Sequence, residues 1–232
     1  MGSKTTNTTT DFYISPRYKA SDYLSIQLTE NSNREDWEKA INIFKDRING
    51  RFLKYLEIII NQDTSLSEFC GFIVIAIDCL VIETLSQFFT GQKQTKGDHT
   101  DAFWRVFVNS DSFKNEINYD QTKVFYDHFR CGLLHQAQTK KLSRIKISRP
   151  RMIEQVDSIN VNGGLIVDRE KFHTSLISTF EQYCNRLISP SLTVNPKEHH
   201  TRVKIQNSLI ITDVDLRKNF IKKMEYIARN EA

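Results

Sequence analysis

The segment FCGFIVIAIDCLVIETLSQFF, residues 69–89, limits the fold more than any other stretch of this chain. Its apolar side chains cover nearly the whole helical circumference, so the helix lies in the middle of a bundle rather than on its surface. The spacing predicts a helix from about Ser65 to Phe89, stopping at Thr90 and Gly91. The segment has Asp78 and Glu83 inside it, and its uninterrupted apolar run is too short to cross a bilayer. Two carboxylates inside such a helix are costly unless each meets a donor. For Glu83 one candidate donor is Arg130, and both a structural ion pair and a catalytic role stay open. Asp78 has the same two readings.

The rest of the pattern supplies helices to surround that core. From Asn33 to Asn61, Ile41, Phe44, Ile48, Phe52, Tyr55 and Ile59 recur at spacings of three and four and share one face. Asn33 suits the cap, Glu35 and Asp36 the first turn. Gly50 marks either a bend or a close helix crossing. A third helix is expected from Asn118 or Asp120 to Thr139. Val124, Phe125, Phe129, Leu133 and the alkyl part of Gln136 form its inner stripe, Leu134 widens it, and Arg130, Cys131 and His135 flank it. KLSRIKISRPRM alternates, and VDSINVNGGLIVD carries Asn-Gly-Gly between two β-prone stretches, a hairpin signal. Asp168 is placed to cap a helix ending before Pro190. The C-terminal VDLRKNFIKKMEYIAR is one more amphipathic helix.

The expected fold class is therefore mainly α, an antiparallel helical bundle with a small β-hairpin insertion near 143–168. Residues 1–32 read as a polar tail and lead-in, 33–188 as the bundle, and 189–232 as a linker with a peripheral helix. No internal repeat is present. The four cysteines are widely spaced with no CxxC pair, which argues against a zinc knuckle. With no export signal, they read as reduced thiols in a cytoplasmic protein. No cofactor or metal is expected.

HFRCGLLHQA, residues 128–137, raises the functional question. Arg130 and His135 lie five apart on a helix, separated by about 140° of rotation and about 7.5 Å of rise. Arginine offers a fixed fork that matches phosphate oxygens. Histidine exchanges protons near neutrality. Together they are the residue types needed to cleave RNA without a metal, one to move protons and one to offset charge on phosphate oxygens. The bland alternative is the polar edge of an ordinary helix. Asp127, His128, Cys131 and Gln136 are supporting candidates. Beyond the histidine, Lys140, Lys141, Arg144, Lys146, Arg149 and Arg151 form a run without an acidic residue, although the net charge of the chain is only +4. A run of this kind is either an RNA-backbone ribbon or a solvated strand edge. The segment 199–200, His-His, falls in a polar linker.

FYDHFRCGLLHQAQTK, residues 125–140, resembles the signature helix of HEPN-domain proteins, whose core is an arginine, four intervening residues and a histidine. IAIDCLVIETLSQFFTG, residues 75–91, resembles the central helix of bacterial HEPN-like proteins, and INVNGGLIVDREKFHTSLISTFEQYCNRL is similar to the strand-and-helix ending of some of them. The resemblance spans roughly residues 34–188. It implies a homodimer in which two signature helices meet, and a metal-independent endoribonuclease that leaves a 2′,3′-cyclic phosphate. It further implies a toxin or antiviral defence effector with RNA as substrate and an antitoxin or defence-system partner, not a membrane protein. In that reading His135 is the acid/base and Arg130 the phosphate-binding residue. The chain departs from the pattern at Cys131, where the family usually carries a polar residue. The alternative is a non-catalytic HEPN-like module binding RNA, nucleotide or a partner protein.

Overall fold

A computed structural model describes residues 11–62, 65–97, 99–157, 163–190, 204–205, 208–209 and 211–230. The expected N-terminal tail up to residue 10, residues 191–203 of the expected linker with its two histidines, and residues 158–162, which include the asparagine of the Asn-Gly-Gly signal, lie outside the described residues. The protein is mainly helical with a small sheet.

The first long helix forms, but its predicted face holds only as far as Ile48: beyond Phe52 it is Leu53 and Leu56 that turn inward, leaving Tyr55 56% exposed and Ile59 half-buried. It comprises α2 (Arg34–Ile48), a π-helical turn (Asn49–Leu53) and α3 (Lys54–Ile60), preceded by the short α1 (Ala20–Leu24). Asn33 caps it, its side chain accepting from the Asp36 N–H at 2.9 Å. The second helix breaks at Cys70 into α4 (Ser65–Phe69) and α5 (Gly71–Thr90), and stops at Gly91 in the left-handed region. Its 20 residues are long and apolar enough, by length and composition, to cross a membrane, which the shorter uninterrupted run did not suggest. What makes it a core helix here is its company. It packs against α6 (His99–Val108), α9 (Arg169–Ile188) and α10 (Asp213–Ala228).

The core is rich in rings. Phe44 of α2, Phe88 of α5, Phe180 of α9 and Phe220 of α10 are fully buried, with Phe44 4.3 Å from Phe88 and 5.5 Å from Phe220 between centroids. The C-terminal helix is thus not peripheral. Leu216, Phe220 and Met224 are wholly buried, and Asn219 Nδ2 donates to the Phe89 carbonyl at 2.7 Å, satisfying one of the free acceptors at the end of α5. Residues 11–32 are likewise more than a lead-in, since Ile14 and Tyr23 are buried in the same core.

The β region differs from a simple hairpin. β2 (Ile153–Val156) and β3 (Gly164–Asp168) pair antiparallel, Ile153 opposite Val167, as the Asn-Gly-Gly signal predicts. However, β1 (Arg144–Lys146) joins the other edge of β3 in parallel, Arg144 opposite Ile166, giving the order β1-β3-β2. Asp168 then caps α9, its Oδ1 accepting from the Glu170 and Lys171 N–H groups at 3.1 and 3.0 Å. Its Oδ2 accepts from the Arg149 N–H at 2.7 Å, tying the β1–β2 connection to the same cap. A further short pair, β4 (Lys204–Ile205) and β5 (Ser208–Leu209), precedes α10.

Candidate active site

The third helix is three pieces: α7 (Tyr119–Phe125), a second π-helical turn (Tyr126–Cys131) and α8 (Gly132–Gln136). It ends three residues before the expected Thr139, because Ala137 adopts a left-handed conformation (φ 52°) and the chain turns back. A π turn closes on i→i+5 and so inserts one extra residue into a helix. Here Phe125 and Phe129 are both buried and stack at 5.0 Å, with His128 buried beside them. Phe129 and Leu133 keep the inward face predicted for them. Leu134, at 50% exposure, and Gln136 face outward instead.

Glu83 of α5 meets Arg130. Nε donates to Oε1 at 2.8 Å and Nη2 to Oε2 at 3.4 Å, with both side chains 19% exposed. Burial opposes the charge on Arg130, but the Glu83 carboxylate more than offsets it and holds the guanidinium pKa above its ordinary value. The guanidinium also sits 5.6 Å over the Tyr126 ring. Tyr126, missed in the sequence although it lies one helical turn before Arg130, is the hub of the site. His99 stacks on its ring at 5.8 Å, and Phe103 packs edge-on at 5.5 Å. Burial, with a hydrogen bond to Cys131, pushes its phenol up to about 12. Beneath, Cys79 is fully buried and its thiol lies well above its usual range through burial, with Asp78 and Glu83 adding to the shift.

His135 is exposed, and neither ring nitrogen has a partner among the described residues. His128 is structural in its contacts: Nδ1 lies 2.8 Å from Ser143 Oγ. Burial depresses its pKa, Asp127 opposes this, and Lys141 and Lys140 add to it. Asp127 is drawn off by Lys140 Nζ at 2.7 Å. Of the basic run, Lys141, Arg144 and Lys146 are exposed, Arg144 and Lys146 on the same face of the edge strand β1. Arg144 Nη1 donates to the Lys141 and Ser143 carbonyls, and Arg149 is paired with Glu154. Arg130 and Glu83 are thus brought together, His135 stands apart in solvent, and Lys140 is tied to the helix base.

Gly132 permits this arrangement. The returning segment passes so close that a Cβ at 132 would overlap the Gln138 carbonyl oxygen. That approach lets Lys140 N–H donate to the His128 carbonyl at 3.1 Å and Ser143 reach both His128 and the Leu165 N–H.

Asp78 meets a donor that the sequence did not suggest, His173 of α9, with Nδ1 2.8 Å from Oδ1. Among the described residues, no group of three or more His, Cys, Asp or Glu is arranged to hold a metal ion. The four cysteines are free.

No family model, curated protein or solved structure matches this chain. The HEPN-like reading accordingly stands on the motif residues and on the chemistry of the site around Arg130.

Proposed function

We propose that this protein is a metal-independent endoribonuclease, with Arg130 and His135 as its catalytic residues. The carrying observation is an arginine fixed in place by Glu83 and Tyr126, five residues before a solvent-facing histidine whose nitrogens are both free. A pre-positioned guanidinium and a mobile proton carrier are what transesterification of RNA requires. His135 takes the proton of the 2′-hydroxyl. The 2′-oxygen attacks phosphorus, the bond to the 5′-oxygen breaks, and that oxygen leaves with a proton. The products are a 2′,3′-cyclic phosphate and a 5′-hydroxyl, with no oxidant, reductant or cofactor consumed. Arg130 offsets charge on the non-bridging oxygens, and Lys141, Arg144 and Lys146 hold the flanking backbone.

The active form in this reading is a homodimer. Ile73 and Leu80, one face of α5, are 52% and 38% exposed, and the stripe leads along the helix to Glu83, while Leu134 is exposed one turn after Arg130. A second copy covering that surface brings its own histidine toward the arginine. By the resemblance, the setting is a cytoplasmic toxin or defence effector.

One observation favours the alternative of a binding module. Glu83 already occupies Nε and Nη2 of Arg130, as in a purely structural pair. Incubating mixed RNA in EDTA with wild type and with His135→Ala separates the two. Cleavage by wild type alone, ending in cyclic phosphates, supports the nuclease. RNA bound but uncut by a folded dimer supports the module, and equal cleavage by both variants removes His135 from the chemistry.

A further inference from the structure

A second groove, of about 640 Å³, lies against the other π turn, within the size range of small-ligand sites. Its outer wall is a tight strap, Ile14–Tyr18, in which the Ile14 and Ser15 N–H groups donate to the Tyr18 carbonyl at 3.0 and 3.1 Å. Its inner wall is the end of α2, the π turn and the start of α3. Asp46 fastens the two. Its carboxylate accepts from Ser15 Oγ at 2.8 Å, the Arg17 N–H at 2.9 Å and Arg17 Nε at 2.7 Å. Gly50 sits at a close approach of a different kind from the helix crossing its position suggested: a Cβ there would come within 2.9 Å of the Pro16 ring, which belongs to the strap and not to a helix.

The side chains left over have one chemistry. Arg17 is anchored through Nε alone, 74% exposed, and its terminal nitrogens have no carboxylate or carbonyl partner among the described residues. An arginine held this way presents its fork to solvent already oriented. Lys54 lines the same groove, exposed and without an ion-pair partner. Among the described residues the only carboxylate lining the groove is Asp46, already accepting three hydrogen bonds, so an anion meets no free negative charge from them. Tyr55 contributes a ring 56% exposed, and the Asn42 and Asn49 carboxamides, also without side-chain partners, offer donor and acceptor together. Cations, an exposed aromatic face and carboxamides are the complement of a phosphate joined to a heterocyclic base.

We infer that this groove binds a nucleotide unit, its phosphate between Arg17 and Lys54 and its base against Tyr55, read by Asn42 and Asn49. It shares no residue with the Arg130 site and does not depend on the nuclease reading. A free nucleotide and one unit of an RNA strand present the same chemistry.

The test is equilibrium binding to the full-length protein of AMP, of inorganic phosphate and of an uncleavable 2′-O-methyl RNA octamer. The variants are Lys54→Ala and Tyr55→Leu, chosen because neither side chain holds the fold, and His135→Ala. The expected result is saturable AMP binding, weakened at least tenfold by Lys54→Ala and by Tyr55→Leu and unchanged by His135→Ala. Binding of the octamer alone, with the same pattern of losses, supports the groove and assigns it to a strand. The inference is overturned if neither nucleotide ligand binds, if binding ignores both groove variants, or if phosphate binds as tightly as AMP.

Discussion

Replacing Gly132 with alanine sets two physical effects against each other, with opposite signs. Helix propensity alone favours the change, by about 1 kcal/mol. The returning chain opposes it, because the new Cβ would stand roughly 1 Å inside contact distance of the Gln138 carbonyl oxygen. The oxygen belongs to backbone, which cannot rotate away as a side-chain tip can. Relieving the overlap means moving the segment that carries the Gln138 N–H to Gly132 carbonyl bond at 3.3 Å and the Lys140 N–H to His128 carbonyl bond at 3.1 Å, each worth about 1 kcal/mol. Adding overpacking strain of about 1–3 kcal/mol and subtracting the propensity gain, Gly132→Ala should lose about 2–4 kcal/mol. Urea denaturation at fixed pH reads this as a lower midpoint at unchanged slope, and amide exchange should show the Lys140 N–H losing protection first. A variant as stable as wild type, or more stable, would refute the close approach of the returning segment.

Three other substitutions probe different parts of the molecule. Phe220→Ala should cost about 3–5 kcal/mol in urea denaturation, as for a large core side chain, whereas a loss under 1 kcal/mol would mean that α10 docks only loosely. For His128, burial holds the folded pKa below the unfolded value of about 6.5. Between the two values the unfolded chain binds the extra proton, so this group's contribution is present above about pH 6.5 and is lost as pH falls below it; His128→Gln should lessen that acid loss, and parallel stability–pH curves for both proteins would contradict it. Ile73→Glu places a charge on the exposed face of α5 away from the core, so in sedimentation it should give a folded monomer; an unaltered dimer would move the interface elsewhere.

Much of the fold was legible because it rests on local signals. The apolar run of α5, the Asn33 and Asp168 caps and the antiparallel pairing of β2 with β3 each depend on neighbours in sequence, and each is present; α5 is nevertheless not enclosed all round, since Phe72, Ile73 and Leu80 are exposed, and Asn162 of the Asn-Gly-Gly signal lies outside the described residues. Glu83 was legible as a buried carboxylate needing a donor. The missing parts depend on distant partners. Nothing in RIK announces a parallel strand whose mate is some twenty residues away. The basic run reads as one ribbon until Asp127 and Glu154 claim Lys140 and Arg149. VDLRKNFIKKMEYIAR looks like a surface helix because its charges are conspicuous, while Leu216, Phe220 and Met224 do the packing. His99 beside Tyr126 and His173 beside Asp78 left no signal, since a lone histidine in a chain predicts no particular neighbour.

The two π turns bear on how this chain tolerates changes in length. Each is one residue more than an α-helix needs, at Asn49–Leu53 and at Tyr126–Cys131. Loss of one residue between Val124 and Phe129 would leave an unbroken α-helix, and the helix as such would survive. Because the π turn takes up its extra residue within a single turn, the segment after it would keep its facing, with Arg130 toward Glu83 and Leu133 in the core; a further deletion, now from plain α-helix, would turn everything after it through about 100°. In this region both helix and site are forgiving of the loss of one residue, and the site is not forgiving of the loss of two. An arginine and a histidine counted five apart therefore specify a distance along the chain, and the π turn that contains the arginine lets an extra residue enter without changing which way the following helix faces.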